Sequence, residues 1–181
     1  MKTTFFEAIH MNYLIKMTAV CLLTTLSMTS YAQTIKSAIN SEAASRVKVL
    51  NLESEEQSKQ GLNYVKGGAY KYTLTYQDIT MKDVDGDGVK DAVAMLYYCE
   101  YTNCHPTTRI ADLVVFKGAK KNQFTKIDTM PLGSHGKIKS INKGLIKTTI
   151  QSYAAGDASC CPSIEDSRSY KVKNKKLYRV E

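Results

Sequence analysis

The sequence predicts a mainly β (α+β) fold, with one N-terminal amphipathic helix followed by an antiparallel meander of about eight or nine strands. Three observations carry this. Apolar residues recur at helical spacing between Ile35 and Leu50, the period changes to two beyond Gly61, and turn signals then follow at short intervals. The chain has 181 residues, of which 43% are hydrophobic and 23% charged, values of a globular protein rather than a disordered or fibrous one.

The first 32 residues read as a removable secretory leader. Lys16 precedes an apolar run, Met17–Met28, and Ser30 and Ala32 form a small-x-small cleavage site that would leave Gln33 as the new N-terminus. The run is shorter than the roughly 20 residues a membrane-spanning helix needs, and no transmembrane segment is expected. The segment ahead of the run is long and contains Glu7, so either Met1 or Met11 could be the true start. No Cys stands at the cleavage point to accept a lipid. A signal peptide of this kind exports the mature protein, in a bacterial cell to the periplasm or the outside. The domain reading is therefore 1–32 signal peptide, 33–60 N-terminal helix and linker, and 61–181 β domain.

Cleavage would take away Lys2, Lys16 and Glu7, lowering the net charge from +8 to +7. A positive surface of this size suits a soluble protein that meets an acidic protein or an anionic envelope component. Nucleic acid is not an expected partner, because export points away from it and the lysines are scattered. A local group at Lys171, Lys173, Lys175 and Lys176 alternates with other residues as the solvated face of a strand would.

Ile35, Ile39, Ala43, Val47 and Leu50 mark the buried stripe of the helix, with Lys36, Glu42, Arg46 and Lys48 on polar positions. Glu53–Gln60 lacks an apolar face and reads as a linker or frayed turn. Leu62–Lys66, a Gly67-Gly68 turn and Ala69–Tyr76 then form a first hairpin, with Tyr70, Tyr72, Leu74 and Tyr76 on an inner aromatic face. Ile79–Lys82 precedes an acidic loop. Ala92–Tyr98 follows it, apolar on both faces and therefore central. Ile110–Lys117 is similar, and the Gly118–Asn122 turn leads to Phe124–Thr129. Lys137–Ile141 and Leu145–Tyr153 flank Asn142-Lys143-Gly144, and Ser169–Lys173 and Leu177–Val180 flank Asn174–Lys176.

The strongest chemical signal is the acidic loop Asp83-Val84-Asp85-Gly86-Asp87-Gly88-Val89-Lys90-Asp91. Asp83, Asp85, Asp87 and Asp91 stand at the carboxylate positions of a calcium loop, Gly88 stands at its glycine, and Val89 can offer a carbonyl. A hard divalent cation wants about six or more oxygen ligands. Alternate side chains of a tightly wound loop can supply several of them. Calcium is the expected cofactor. The loop departs from an EF-hand because Ala94 replaces the bidentate glutamate and strands replace the flanking helices. It resembles instead the D-x-D-G-D-G-x-x-D loops of integrin-type FG-GAP repeats and of dockerin- or thrombospondin-type modules. That resemblance implies a metal, not an activity.

Four cysteines remain after the leader: Cys99, Cys104, Cys160 and Cys161. An even count in an exported domain reads as disulfides. A local pairing joins Cys99 to Cys104 and Cys160 to Cys161; a crossed pairing ties the adjacent cysteines to Cys99 and Cys104. A zinc site from Cys99, Cys104, His105 and Cys160 or Cys161 is the competing arrangement. A thiol nucleophile with His105 or His135 as base has no surrounding motif to support it.

The order of features also resembles a group of uncharacterised exported bacterial proteins with a D-x-x-G-D-G-x-x-D-A-V strand, a middle L-A/V-V-V strand and a late C-C-P. Here these are Asp83–Val93, Leu113-Val114-Val115 and Cys160-Cys161-Pro162. The resemblance favours the local cysteine pairing and implies no catalytic role.

Two function classes follow. One is an exported, calcium-stabilised, non-enzymatic binding or structural module of the bacterial envelope, including an inhibitor or immunity protein against a secreted enzyme. The other is a small periplasmic hydrolase whose active residues meet only in three dimensions. A cleft with convergent polar groups would favour the hydrolase, and a basic face or an exposed strand edge the binding module.

Overall fold

The computed structural model describes residues 34–62, 68–101, 104, 109–158 and 160–180. The leader, all but Leu62 of the first expected strand, and His105 lie outside the described residues. Helix α1 (Ile35–Lys59) starts where Thr34 accepts a hydrogen bond from the Ser37 N–H at 3.3 Å, an N-cap. Its buried face is Ala38, Ile39, Ala43 and Leu50, close to the stripe read from the sequence.

The helix does not stop at Leu50. It runs on through Glu53–Lys59, the segment expected to be a linker or frayed turn. Partners outside the helix hold this last part: Lys71 binds Glu55, and the Tyr72 N–H donates to the Asn51 side chain at 2.7 Å. The helix ends in a Schellman motif. Gly61 takes φ +72°, its N–H reaches the Ser58 carbonyl at 3.1 Å, and the Leu62 N–H reaches Gln57 at 2.9 Å.

Eight antiparallel strands follow, β1 (Tyr72–Lys82), β2 (Asp91–Glu100), β3 (Ile110–Ala119), β4 (Gln123–Gly133), β5 (Lys137–Asn142), β6 (Leu145–Ser152), β7 (Ile164–Lys173) and β8 (Lys176–Val180). They form two four-stranded sheets, β1-β2-β3-β4 and β5-β6-β7-β8, each in sequential order. The expected meander is thus present, divided in two. The two-residue turns Lys143-Gly144 and Asn174-Lys175 have positive φ at both positions, the geometry that matches strand twist.

The first sheet is a middle layer. Every residue of β2 is buried, as expected for a central strand. Val93, Met95 and Tyr97 face the second sheet, where Ile146, Ile150, Tyr170 and Leu177 pack against them. Ala92, Ala94, Leu96 and Tyr98 face α1 and meet Ile39, Ala43 and Leu50. Period-two alternation thereby supplies two cores from one strand.

β1 differs from expectation in two ways. Ile79–Lys82 is not a separate strand but the second half of β1. The tyrosine stripe is also broken by a bulge at Thr75, where Leu74 pairs with Tyr98 but Tyr76 pairs with Tyr97. The extra residue turns the following side chains over. Tyr72 and Leu74 pack with the helix, while Tyr76 is carried to the opposite face and left 62% exposed.

One charge pair lies between helix and sheet. Arg46 Nε donates to Asp112 Oδ2 at 2.9 Å, and the Asp112 side chain is fully buried. Burial pushes the Asp112 carboxyl above the usual range, with the Arg46 guanidinium pulling the other way. Replacing Arg46 with Ala strands that carboxylate, at a cost of roughly 3–5 kcal/mol at neutral pH. A raised native pKa favours the protonated native state, so the loss should shrink as pH falls below about 5. Urea unfolding of wild type and Arg46→Ala at both pH values measures this; a pH-independent difference would exclude Asp112 as its cause.

Candidate metal centre

The acidic loop connects β1 to β2 and is built on its own hydrogen bonds. Asp83 accepts from the Gly86 N–H at 2.7 Å and the Gly88 N–H at 2.9 Å. Asp85 accepts from the Asp87 N–H at 3.3 Å, and Asp87 from the Val89 N–H at 2.8 Å. Gly86 and Gly88 both adopt φ +83°, which the winding requires and L side chains resist. The result gathers Asp83, Asp85 and Asp91, one carboxylate oxygen of each lying within 4.8 Å of the others. It is the only group of three or more potential ligand residues among the described residues.

The members differ in environment. Asp91 opens β2, is fully buried, and accepts from the Val84 N–H at 3.0 Å and the Gly118 N–H at 2.9 Å. Its carboxylate therefore joins the loop to β3 as well as completing the acidic group. Asp83 is half-buried and Asp85 exposed.

Asp87, expected among the ligands, stands outside this group. Its Oδ2 accepts from the Lys117 ammonium at 2.7 Å, and the same ammonium binds Asp85. That contact, then the Val89 N–H, holds the Asp87 carboxyl below the usual range; the two aspartates in turn raise the Lys117 pKa. Val89 enters the loop's network through its N–H.

Sequence reasoning missed Lys117, Gly118 and Gly144. The antiparallel register pairs Ala92 with Phe116, and one further step sets Asp91 opposite Lys117. A Cβ on Gly118 would run into the Lys90 carbonyl, and one on Gly144 would come within 2.8 Å of the Val84 carbonyl oxygen. The loop is thus seated between β3 and the β5–β6 turn, with Val84 in the core shared by the two sheets. Only the pairing register could have revealed these neighbours.

The cysteines lie at disulfide distance in the local pairing. Cys99 and Cys104 have Cα atoms 5.1 Å apart, and Cys160 and Cys161 are 3.8 Å apart. The crossed pairing and the cysteine-based zinc set are not assembled among the described residues. Sulfurs so paired are not free thiolates for nucleophilic chemistry. His135 packs edge-on to Tyr153, with ring centroids 6.1 Å apart. Asp157, a further missed residue, closes the loop around Cys160 and Cys161. It accepts from the Ala154 N–H at 2.6 Å and from the Ser163 N–H at 2.9 Å, and those bonds hold its carboxyl below the usual range.

With this geometry in view, comparison with known proteins gives no match to any family model, curated protein or solved structure. No helix among the described residues is long and apolar enough to cross a membrane.

Asp91→Ala removes the acceptor from two buried N–H groups, which costs roughly 2–4 kcal/mol by the usual penalty for unsatisfied donors. Gly118→Ala should destabilise comparably, since backbone rather than a flexible side chain must yield. Both losses should appear in denaturant unfolding with or without a divalent cation. A wild-type midpoint for either variant would refute the seating of the loop.

Proposed function

We propose that the chain is an exported, calcium-stabilised, non-enzymatic binding module of the bacterial envelope. The observation that carries the reading is the convergence of Asp83, Asp85 and Asp91 on a point beside the core. A donor set of carboxylate oxygens suits a hard cation, and an irregular loop cage suits calcium better than magnesium, which demands near-octahedral geometry. Asp83, Asp85 and Asp91 would hold the ion, with Asp87 and the Val89 carbonyl as further ligands. Bound calcium would neutralise the crowded carboxylates and fasten the loop to β3 and the β5–β6 turn.

The loop already has a cation of its own. The Lys117 ammonium bridges Asp85 and Asp87, so calcium must displace it or share the carboxylates with it. That competition, and Ala94 in place of a bidentate glutamate, argue for a weak site, on the order of 10⁻⁴ M, in the range of extracellular modules. Export is supported by the leader pattern of residues 1–32 and by cysteine pairs suited to an oxidising compartment. The resemblance to the group of exported proteins with a late C-C-P agrees with this address.

The test is a melting curve with chelator and with calcium. At about 1 mM calcium the linkage adds roughly 1.4 kcal/mol, a shift of about 3–5 °C. Asp85→Ala should abolish the shift. Lys117→Met should enlarge it, because the competing ammonium is gone. Magnesium should do less than calcium at equal concentration. Identical curves with chelator and calcium would reduce the loop to an acidic turn closed by Lys117. Mass spectrometry of the exported protein should find Gln33 at the N-terminus and no free thiol at the four remaining cysteines; a retained Met1 or Met11 would remove the envelope address.

A further inference from the structure

Among the described residues, the outer face of the second sheet carries lysines without paired carboxylates. Lys147, Lys171, Lys173 and Lys176 are exposed there, on the side opposite the core residues Ile146, Tyr170, Val172 and Leu177, and Lys143 stands exposed in the adjoining turn. None of the five takes part in an ion pair among the described residues. Among the described residues of these strands, the only carboxylate directed outward is Glu165, opposite Gln151 and away from the lysines.

This face is not flat. A depression of about 530 Å³ crosses it, lined by residues of all four strands that include Ser140, Asn142, Lys143, Lys147 and Lys171. Register sets the order across the sheet. Ser140, Lys147, Ser169 and Val180 form one row, and Lys171 and Tyr178 stand together in the next. With strands about 4.8 Å apart, the trough is roughly 15 Å across, the length of a short run of polymer rather than of one small anion.

We propose that this trough binds a linear acidic polysaccharide, a reading that rests on the binding-module function above and assigns its ligand. Lysine ammoniums supply point charges for carboxylate or sulfate groups. Ser140 and Asn142 line the trough beside them as donors and acceptors for sugar hydroxyls. A single nucleic-acid strand would call for several aromatic platforms, and Tyr178 is the one exposed aromatic here.

The experiment measures binding of a heparin-class oligosaccharide, carrying both carboxylate and sulfate, to the folded protein by calorimetry over a salt series. Lys147→Glu/Lys171→Glu is compared with Lys36→Glu/Lys48→Glu on α1, which has the same net charge. The trough variant should bind at least about tenfold more weakly and lose about two from the salt slope, while the helix variant stays near wild type. Equal weakening in both variants would reduce the binding to general basicity and overturn the site. Displacement of the glycan by phosphatidylglycerol vesicles or oligo-dT, themselves sensitive to the trough variant, would overturn the glycan assignment. The Asp85→Ala protein provides the separating arm. Glycan binding retained by this variant without a calcium shift upholds the trough independently of the metal, and a calcium shift in the wild type without glycan binding leaves the loop standing and removes the trough.

Discussion

The double burial of β2 governs this fold. A strand with all of its residues inside must satisfy two layers at once, and it does so by alternation: Val93, Met95 and Tyr97 for the sheet sandwich, and Ala92, Ala94, Leu96 and Tyr98 for the helix. The small residues Ala92 and Ala94 lie on the helix side, where α1 presents its own alanines, Ala38 and Ala43. Val93, Met95 and Tyr97 span the gap between the sheets, which pack about 10 Å apart. A one-residue slip in register would exchange these sets and spoil both cores. The bulge in β1 shows how sharply parity matters, since one extra residue at the sheet edge is enough to move Tyr76 out of the apolar interior.

A middle layer of this kind has little tolerance for charge, and of its two fully buried carboxylates Asp91 has both oxygens hydrogen-bonded, whereas Asp112 is bonded through Oδ2 alone. Asp112 faces α1 and is met by Arg46. Asp91, at the entry to β2, is met by two backbone N–H groups and lies beside the loop's other acids. The loop therefore does not hang from the sheet as an appendage. Val84 is a core residue, Asp91 is a strand residue, and only Asp85 and Asp87 reach outward to the Lys117 ammonium. Its order comes first from burial and backbone hydrogen bonds, and electrostatics acts on a scaffold already in place.

Much of this was legible in the sequence, and the illegible part has a common cause. The helix stripe, the central strand Ala92–Tyr98, both two-residue hairpins and the acidic loop were all carried by local pattern. The continuation of α1 to Lys59 was not, because Glu53–Lys59 has no apolar face and is held instead by Lys71 and Asn51–Tyr72 contacts. The split into two sheets was equally hidden, since a sequential strand order looks the same in one sheet or two. At the acidic loop the carboxylates could be read, but the contact that engages Asp87 comes from Lys117, thirty residues away in sequence from Asp87. Register, not composition, brought them together.

The two surfaces of interest meet at one turn. Gly144 lies against the Val84 carbonyl of the acidic loop, so closely that a side chain would not fit, while its neighbour Lys143 lines the trough on the outer face. Both residues have positive φ, and the turn they form fixes the pairing of β5 with β6. The loop thus braces the hairpin that carries one wall of the trough. Acid and base are kept apart by this arrangement: the carboxylates gather at the end of the sandwich, where backbone donors and Lys117 compensate them, and the lysines spread over the sheet's outer face, where little does. A chain with a net charge of +8 could have scattered those lysines at no cost to its core. Their placement on this face, beside no acid among the described residues, is a property of the surface, and the packing of the interior does not require it.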